Sequence, residues 1–116
     1  MSVYKIFHNP RCSKSRQTLK LLENNNCEIE IINYLEIDLD VFLIKDTLEK
    51  LALKPRDVLR KNEQDYKDND LKRDSLSDDD LIGYMIKYPR LIERPIVING
   101  NKAVLGRPPE NVLSLI

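Results

Sequence analysis

Cys12 lies in the stretch HNPRCSKSR, residues 8–16, directly behind the apolar run VYKIF at 3–7. His8 precedes it in the same turn, and Arg11, Lys14 and Arg16 surround it. The thiolate, not the thiol, is the nucleophile of a cysteine, and a free thiol ionises only near pH ~8.5. Cations beside the sulfur favour the anion, and His8 offers either a charge or a hydrogen bond. A lone cysteine is most often a small buried apolar residue. A turn this rich in Arg, Lys and Ser is a poor place to bury one, so Cys12 reads as reactive. A disulfide-exchange pair of the CxxC type needs a cysteine at position 15, which is Ser15. The site therefore has one thiol and needs an outside thiol to resolve any disulfide. A phosphatase loop of the C-x5-R type needs arginine at position 18, which is Thr18. With one His and two Cys in the chain, no metal site is expected.

What would position Cys12 is a strand on one side and a helix on the other. VYKIF reads as a buried strand. From Ser13 to about Glu23 the pattern turns helical, with Ser15, Leu19 and Leu22 on one face. Cys12 then falls at a helix N-terminus, where unpaired N–H groups and the helix dipole stabilise an anion. Asn24, Asn25 and Asn26 suit the helix end, because Asn tolerates the left-handed conformation. CEIEIINY (27–34) follows as a second strand, so the two strands form a parallel βαβ unit. Cys27 opens that strand and reads as a small packing residue.

The middle of the chain is helical. Val41, Ile44, Leu48 and Leu51 share a helical face, Pro55 starts a short turn, and QDYKDNDLKRDS is a charged loop with a helical turn in it. Ser77 and Asp80 have capping-box spacing ahead of Leu81, Ile82, Met85 and Ile86, and Tyr88-Pro89 ends that helix. Gly83 interrupts it, at a cost of about 1 kcal/mol, and close helix packing is the expected reason. PIVI (95–98) and KAVL (102–105) flank Asn-Gly-Asn, a hairpin signal of the type I′ kind. GRPPENVLSLI then reads as a last helix with Val112, Leu113 and Ile116 facing the core. The order is β-α-β, a helical insertion at 37–90, then β-β-α, within one α/β domain spanning 1–116. That is the thioredoxin-like fold with a helical insertion between its two halves.

Nineteen basic and nineteen acidic residues give a formal net charge of zero, which argues against nucleic acid as a partner. No stretch approaches the ~20 apolar residues of a membrane span, and MSVYKIFHNPRC has no apolar core of a signal peptide. The chain is expected in the cytoplasm, without a membrane partner. In that reducing compartment a Cys12–Cys27 disulfide is not expected.

HNPRCSKSR resembles the active-site signature of the glutaredoxin-coupled arsenate reductases, a branch of the thioredoxin superfamily. LRKNE (59–63), LIERPIV (91–97) and LGRPPE (105–110) resemble that family's other motifs, in order and spacing, over essentially the whole chain. The resemblance implies an oxidoreductase that reduces arsenate to arsenite. Cys12 would attack arsenate and form a covalent thioarsenate, glutathione would attack as co-substrate, and glutaredoxin would resolve the adduct. No bound cofactor is implied. Arg60, Arg94 and Arg107 match the family's oxyanion-binding arginines, and His8 matches a residue that helps set the cysteine pKa. Arginine suits this task, since its planar fork of donors fits a tetrahedral oxyanion and does not lose its proton. The resemblance also implies a cis Pro95, the proline that opens the third strand, with Arg94 close to Cys12. Two other readings of the same scaffold are a general glutathione-linked thiol oxidoreductase and a non-enzymatic Spx-like transcriptional regulator. Spx-like regulators usually switch through CxxC, which Ser15 removes.

Overall fold

In the computed structural model, which describes residues 3–116, β1 (Val3–Phe7) leads through a turn into α1 (Ser13–Asn24) and on to β2 (Glu28–Ile32). β1 and β2 pair in parallel, Tyr4 opposite Ile29 and Ile6 opposite Ile31. The chain returns in β3 (Ile96–Asn99) and β4 (Lys102–Leu105), antiparallel to each other, with β3 also antiparallel to β1. The sheet order is β2-β1-β3-β4, which puts β1 in the interior and aims its C-terminal end at the Cys12 turn. This is the thioredoxin-like fold that the element order predicts.

Two compact units divide the chain. One consists of the residues up to Ile37 with Arg94–Ile116, the other of Asp38–Glu93. In the first, Tyr4, Ile6, Leu22, Val97 and Val112 form the core, with Leu19, Cys27, Val104 and Leu115 packed against it. Each such side chain contributes about 1.5–3 kcal/mol when fully buried. Phe7 stacks on Tyr34, ring centroids 5.9 Å apart, beneath the end of β1. α1 stops where Asn26 takes φ +58, the conformation its side chain tolerates.

The second unit holds α2 (Val41–Leu51), α3 (Gln64–Asp68) and α4 (Asp78–Lys87), with 3-10 turns at Pro55–Val58 and Pro89–Leu91. Asp40 caps α2 by accepting from the Leu43 N–H at 2.8 Å. Ser77 and Asp80 form the capping box, with both bonds made. Leu81, Ile82 and Met85 are buried and Ile86 is half-buried. Among the described residues the unit's β structure is one isolated bridge, Leu59 to Ile92.

Four expectations need correction. Val41 is exposed, and α2 buries Ile44, Thr47 and Leu48 instead. Gly83 has open space where a Cβ would stand, so close packing does not explain it. The hairpin turn is not of the I′ kind. Asn99 pairs with Lys102, which makes Gly100 and Asn101 the central residues, and Gly100 alone of the two has positive φ, +62. Glycine first and ordinary φ second is the type II′ arrangement. The last element, Pro109–Leu115, is a 3-10 helix, not an α-helix. With three residues per turn, positions i and i+3 eclipse. Pro109, Val112 and Leu115 therefore face inward, while Leu113 and Ile116 point to solvent.

Candidate active site

β1 ends at Phe7 and the chain turns through His8, Asn9, Pro10 and Arg11 before α1 begins. Cys12 is the N-cap of α1, in extended conformation, and its carbonyl accepts the Arg16 N–H at 3.0 Å. Its own N–H donates to the Asn9 carbonyl at 2.9 Å. The thiol is free, and the residue is 8% exposed. A buried thiolate at an N-cap receives the N–H groups that the first helical turn leaves unpaired.

Burial is the largest single influence on Cys12 and pushes its thiol up. The opposing effects outweigh it: the Ser15 N–H, the charge of Arg94, the Lys14 N–H and the charge of Arg107. The thiol ends below its ordinary pKa. Arg107 points Nη2 at the sulfur, 3.9 Å away, and donates Nε to the Arg94 carbonyl at 2.8 Å. Arg94 is half-buried, and its Nε and Nη1 are buried without a hydrogen-bond partner among the described residues. Buried donors normally have partners. Two unmatched guanidinium N–H groups acting on a thiolate suit an incoming oxyanion.

The path that brings these arginines in is narrow. The Arg94–Pro95 and Arg107–Pro108 peptide bonds are both cis, and Pro95 is buried. Gly106 donates its N–H to the Pro95 carbonyl at 2.9 Å. A Cβ on Gly106 would lie 2.6 Å from Thr18 Oγ1 and 2.7 Å from Pro95 Cγ. Only glycine lets the residue before Arg107 approach this closely.

The cations of the turn itself act differently from the sequence expectation. Arg11, Lys14 and Arg16 are exposed, and Arg16 donates Nη1 to the Pro10 carbonyl at 2.8 Å. The charges that favour the thiolate come from Arg94 and Arg107, more than eighty residues away in the chain. His8 is buried, with Nδ1 2.6 Å from the Ser15 hydroxyl, which also accepts the Asn9 N–H at 3.0 Å. Burial, and then the charge of Arg16, hold the His8 pKa below its ordinary value. His8 is accordingly a neutral hydrogen-bonding partner at neutral pH, not a cation.

Ser15 is the residue of the candidate site whose contacts sequence reasoning missed. It stood as the absent second cysteine and as part of one helical face, yet its N–H favours the thiolate and its hydroxyl joins His8 to Asn9. A hydroxyl on the buried face of a helix's first turn was the available signal. Arg60 belongs to the Asp38–Glu93 unit, where its guanidinium pairs with Glu63 and its N–H donates to the Leu91 carbonyl at 2.8 Å. Cys27 is half-buried, and burial pushes its thiol up. No His/Cys/Asp/Glu cluster able to hold a metal occurs among the described residues.

A thioredoxin-like sheet with one cysteine at the N-cap of its first helix, and two arginines whose charges act on the sulfur, places the chain among thioredoxin-like proteins with a single thiol at that helix terminus. Comparison with known proteins narrows that class. Residues 7–115 match the ArsC family, and the chain belongs to it. It is 41% identical to an arsenate reductase of Neisseria meningitidis (serogroup B, strain MC58), over 100% of both chains. It is 47% identical to the uncharacterized protein YfgD of Escherichia coli strain K12, over 97% of this chain and 95% of that one. A solved arsenate reductase from Vibrio cholerae superposes with a TM-score of 0.95 at 44% identity, covering 98% of each chain.

Proposed function

We propose that the protein reduces arsenate to arsenite through Cys12, with glutathione and glutaredoxin supplying the electrons, in the cytoplasm. The observation that carries the reading is the pairing of a thiol held below its ordinary pKa with the unpartnered buried donors of Arg94. Arsenate at neutral pH is a tetrahedral anion, so the same donors that favour the thiolate also hold its target. The thiolate displaces one arsenate oxygen, which leaves as water, and forms an S–As bond. Glutathione then attacks the adduct, and glutaredoxin resolves it. Arsenic(V) gains two electrons as the two outside thiols become a mixed disulfide; water then hydrolyses the S–As(III) bond, which releases arsenite and returns the Cys12 thiol.

Arg94 and Arg107 bind and orient the oxyanion in this scheme. Family resemblance alone gives Arg60 the same role, and an Arg60→Ala variant with an unchanged KM for arsenate removes it. His8 is a positioning residue that acts through Ser15. The test is arsenate-dependent NADPH oxidation coupled through glutathione, glutaredoxin and glutathione reductase. Turnover that disappears in Cys12→Ser is the expected result; no turnover at millimolar arsenate ends the proposal. A regulator of the Spx-like kind has no comparable use for the donors of Arg94.

A further inference from the structure

One groove of the first unit has no part in the scheme above. It is a shallow groove of about 350 Å³, open to solvent, between α1 and the Pro109–Leu115 helix, lined by Arg16, Gln17, Lys20, Leu21, Pro109 and Glu110. That volume is in the range of small-ligand sites, ~300–1,000 Å³. It adjoins the cysteine by two routes. Arg16 stands one helical turn beyond Cys12, and Pro109 follows Arg107 by two residues. The Arg16 guanidinium is already tied to the Pro10 carbonyl at 2.8 Å, so one cation of the groove is fixed beside the active-site turn. Lys20 lies one further turn along α1, about 12 Å of helix from Cys12.

We propose that this groove binds the glutathione that attacks the Cys12 adduct, an inference that rests on the proposed thiol-dependent reduction. Glutathione carries two carboxylates and one ammonium. The groove presents the complement: two cations, Arg16 and Lys20, and one carboxylate, Glu110, around the half-buried Leu21 and buried Pro109. A tripeptide extends ~10 Å, most of the helical stretch between Cys12 and Lys20. The cations take the carboxylates and Glu110 takes the ammonium, leaving the thiol free to reach the adduct at Cys12. A single-sign anion such as phosphate has no use for Glu110. A protein thiol donor needs a far larger surface than a groove of this size.

The experiment varies glutathione at saturating arsenate and glutaredoxin, in the wild type, Lys20→Ala and Glu110→Ala. Arg16→Ala is left out because Arg16 also acts on His8. Each exposed charged contact is worth about a three- to fivefold change in KM for glutathione, shrinking as salt rises. The KM for arsenate stays within twofold. Glutathione monoethyl ester, which lacks one carboxylate, is a poorer substrate than glutathione for the wild type, and Lys20→Ala narrows that preference. An unmoved KM for glutathione overturns the inference, and so does a change in the KM for glutaredoxin in its place. A second measurement separates this inference from the proposed activity. S-methylglutathione, which cannot react, is titrated into labelled protein, and the amides of Gln17, Lys20 and Glu110 shift. Shifts without arsenate turnover leave the groove and remove the reduction; turnover without shifts does the reverse.

Discussion

Cys12 is held below its ordinary pKa by partners that differ in how far away they lie in the chain. The N–H groups of Lys14 and Ser15 are local, and their action was legible from a cysteine between a strand and a helix. The charges of Arg94 and Arg107 are remote and reach the sulfur only through the sheet, so residue types near Cys12 pointed to the wrong cations. Alkylation of Cys12 plotted against pH therefore has its midpoint below that of an ordinary cysteine thiol. Arg94→Ala and Arg107→Ala each move that midpoint up, while Arg11→Ala leaves it in place; equal shifts in all three contradict the assignment. His8 yields a prediction of opposite kind. Its folded pKa is lowered, so between that value and the unfolded ~6.5 the unfolded chain binds the extra proton and stability rises with pH. The contribution is complete above pH ~6.5 and is lost as pH falls through the folded pKa. Urea denaturation of the wild type and His8→Gln at pH 7 and at pH 5 checks this, and the wild type loses more stability between the two.

At the scale of elements, the sequence was most informative where one local rule decides. The capping box at Ser77 and Asp80 is such a case, because both bonds form within a single turn of α4. Ser77→Ala lowers the unfolding free energy by about 1 kcal/mol, read from the urea midpoint. The sequence was least informative where geometry is set by what the element packs on. Pro109–Leu115 reads as a helix from its sequence, but its 3-10 repeat of three aligns buried Pro109 and Val112 with half-buried Leu115 on one face. The hairpin turn depended on register, which Asn-Gly alone does not fix. Two positions carry residues that their local geometry does not favour. Ala52 ends α2 at φ +57, and Gly83 sits exposed inside α4 with open space around its missing Cβ. Ala52→Gly relieves a left-handed alanine, and Gly83→Ala restores helix propensity. Each raises stability by about 0.5–1 kcal/mol, and a loss at either position contradicts the account given for that element.

At the scale of the whole molecule, the fold was legible because four short strands and the helices between them announce themselves by pattern. The candidate site was legible only as separate motifs. That Arg94 and Arg107 meet at Cys12 follows from β3 lying beside β1 and from Gly106 fitting between Thr18 and Pro95. No periodicity contains that fact. The close fit at Gly106 therefore links the stability of the sheet to the chemistry of the sulfur. A methyl group there meets Thr18 Oγ1 at 2.6 Å and Pro95 Cγ at 2.7 Å, distances at which something must move. Thr18 is on α1, whose N-terminus holds Cys12, and Pro95 follows Arg94, so either displacement disturbs the site. Gly106→Ala accordingly lowers stability by about 1–3 kcal/mol, as expected for overpacking. It also raises the alkylation midpoint of Cys12. The double variant Gly106→Ala with Thr18→Ser removes one of the three crowding atoms, Thr18 Cγ2 at 3.2 Å, but not the nearest, Oγ1. Thr18→Ala removes both, and in that background Gly106→Ala costs measurably less. If the cost is the same with and without the Thr18 hydroxyl and methyl, the contact that carries Arg107 to Cys12 has been misassigned.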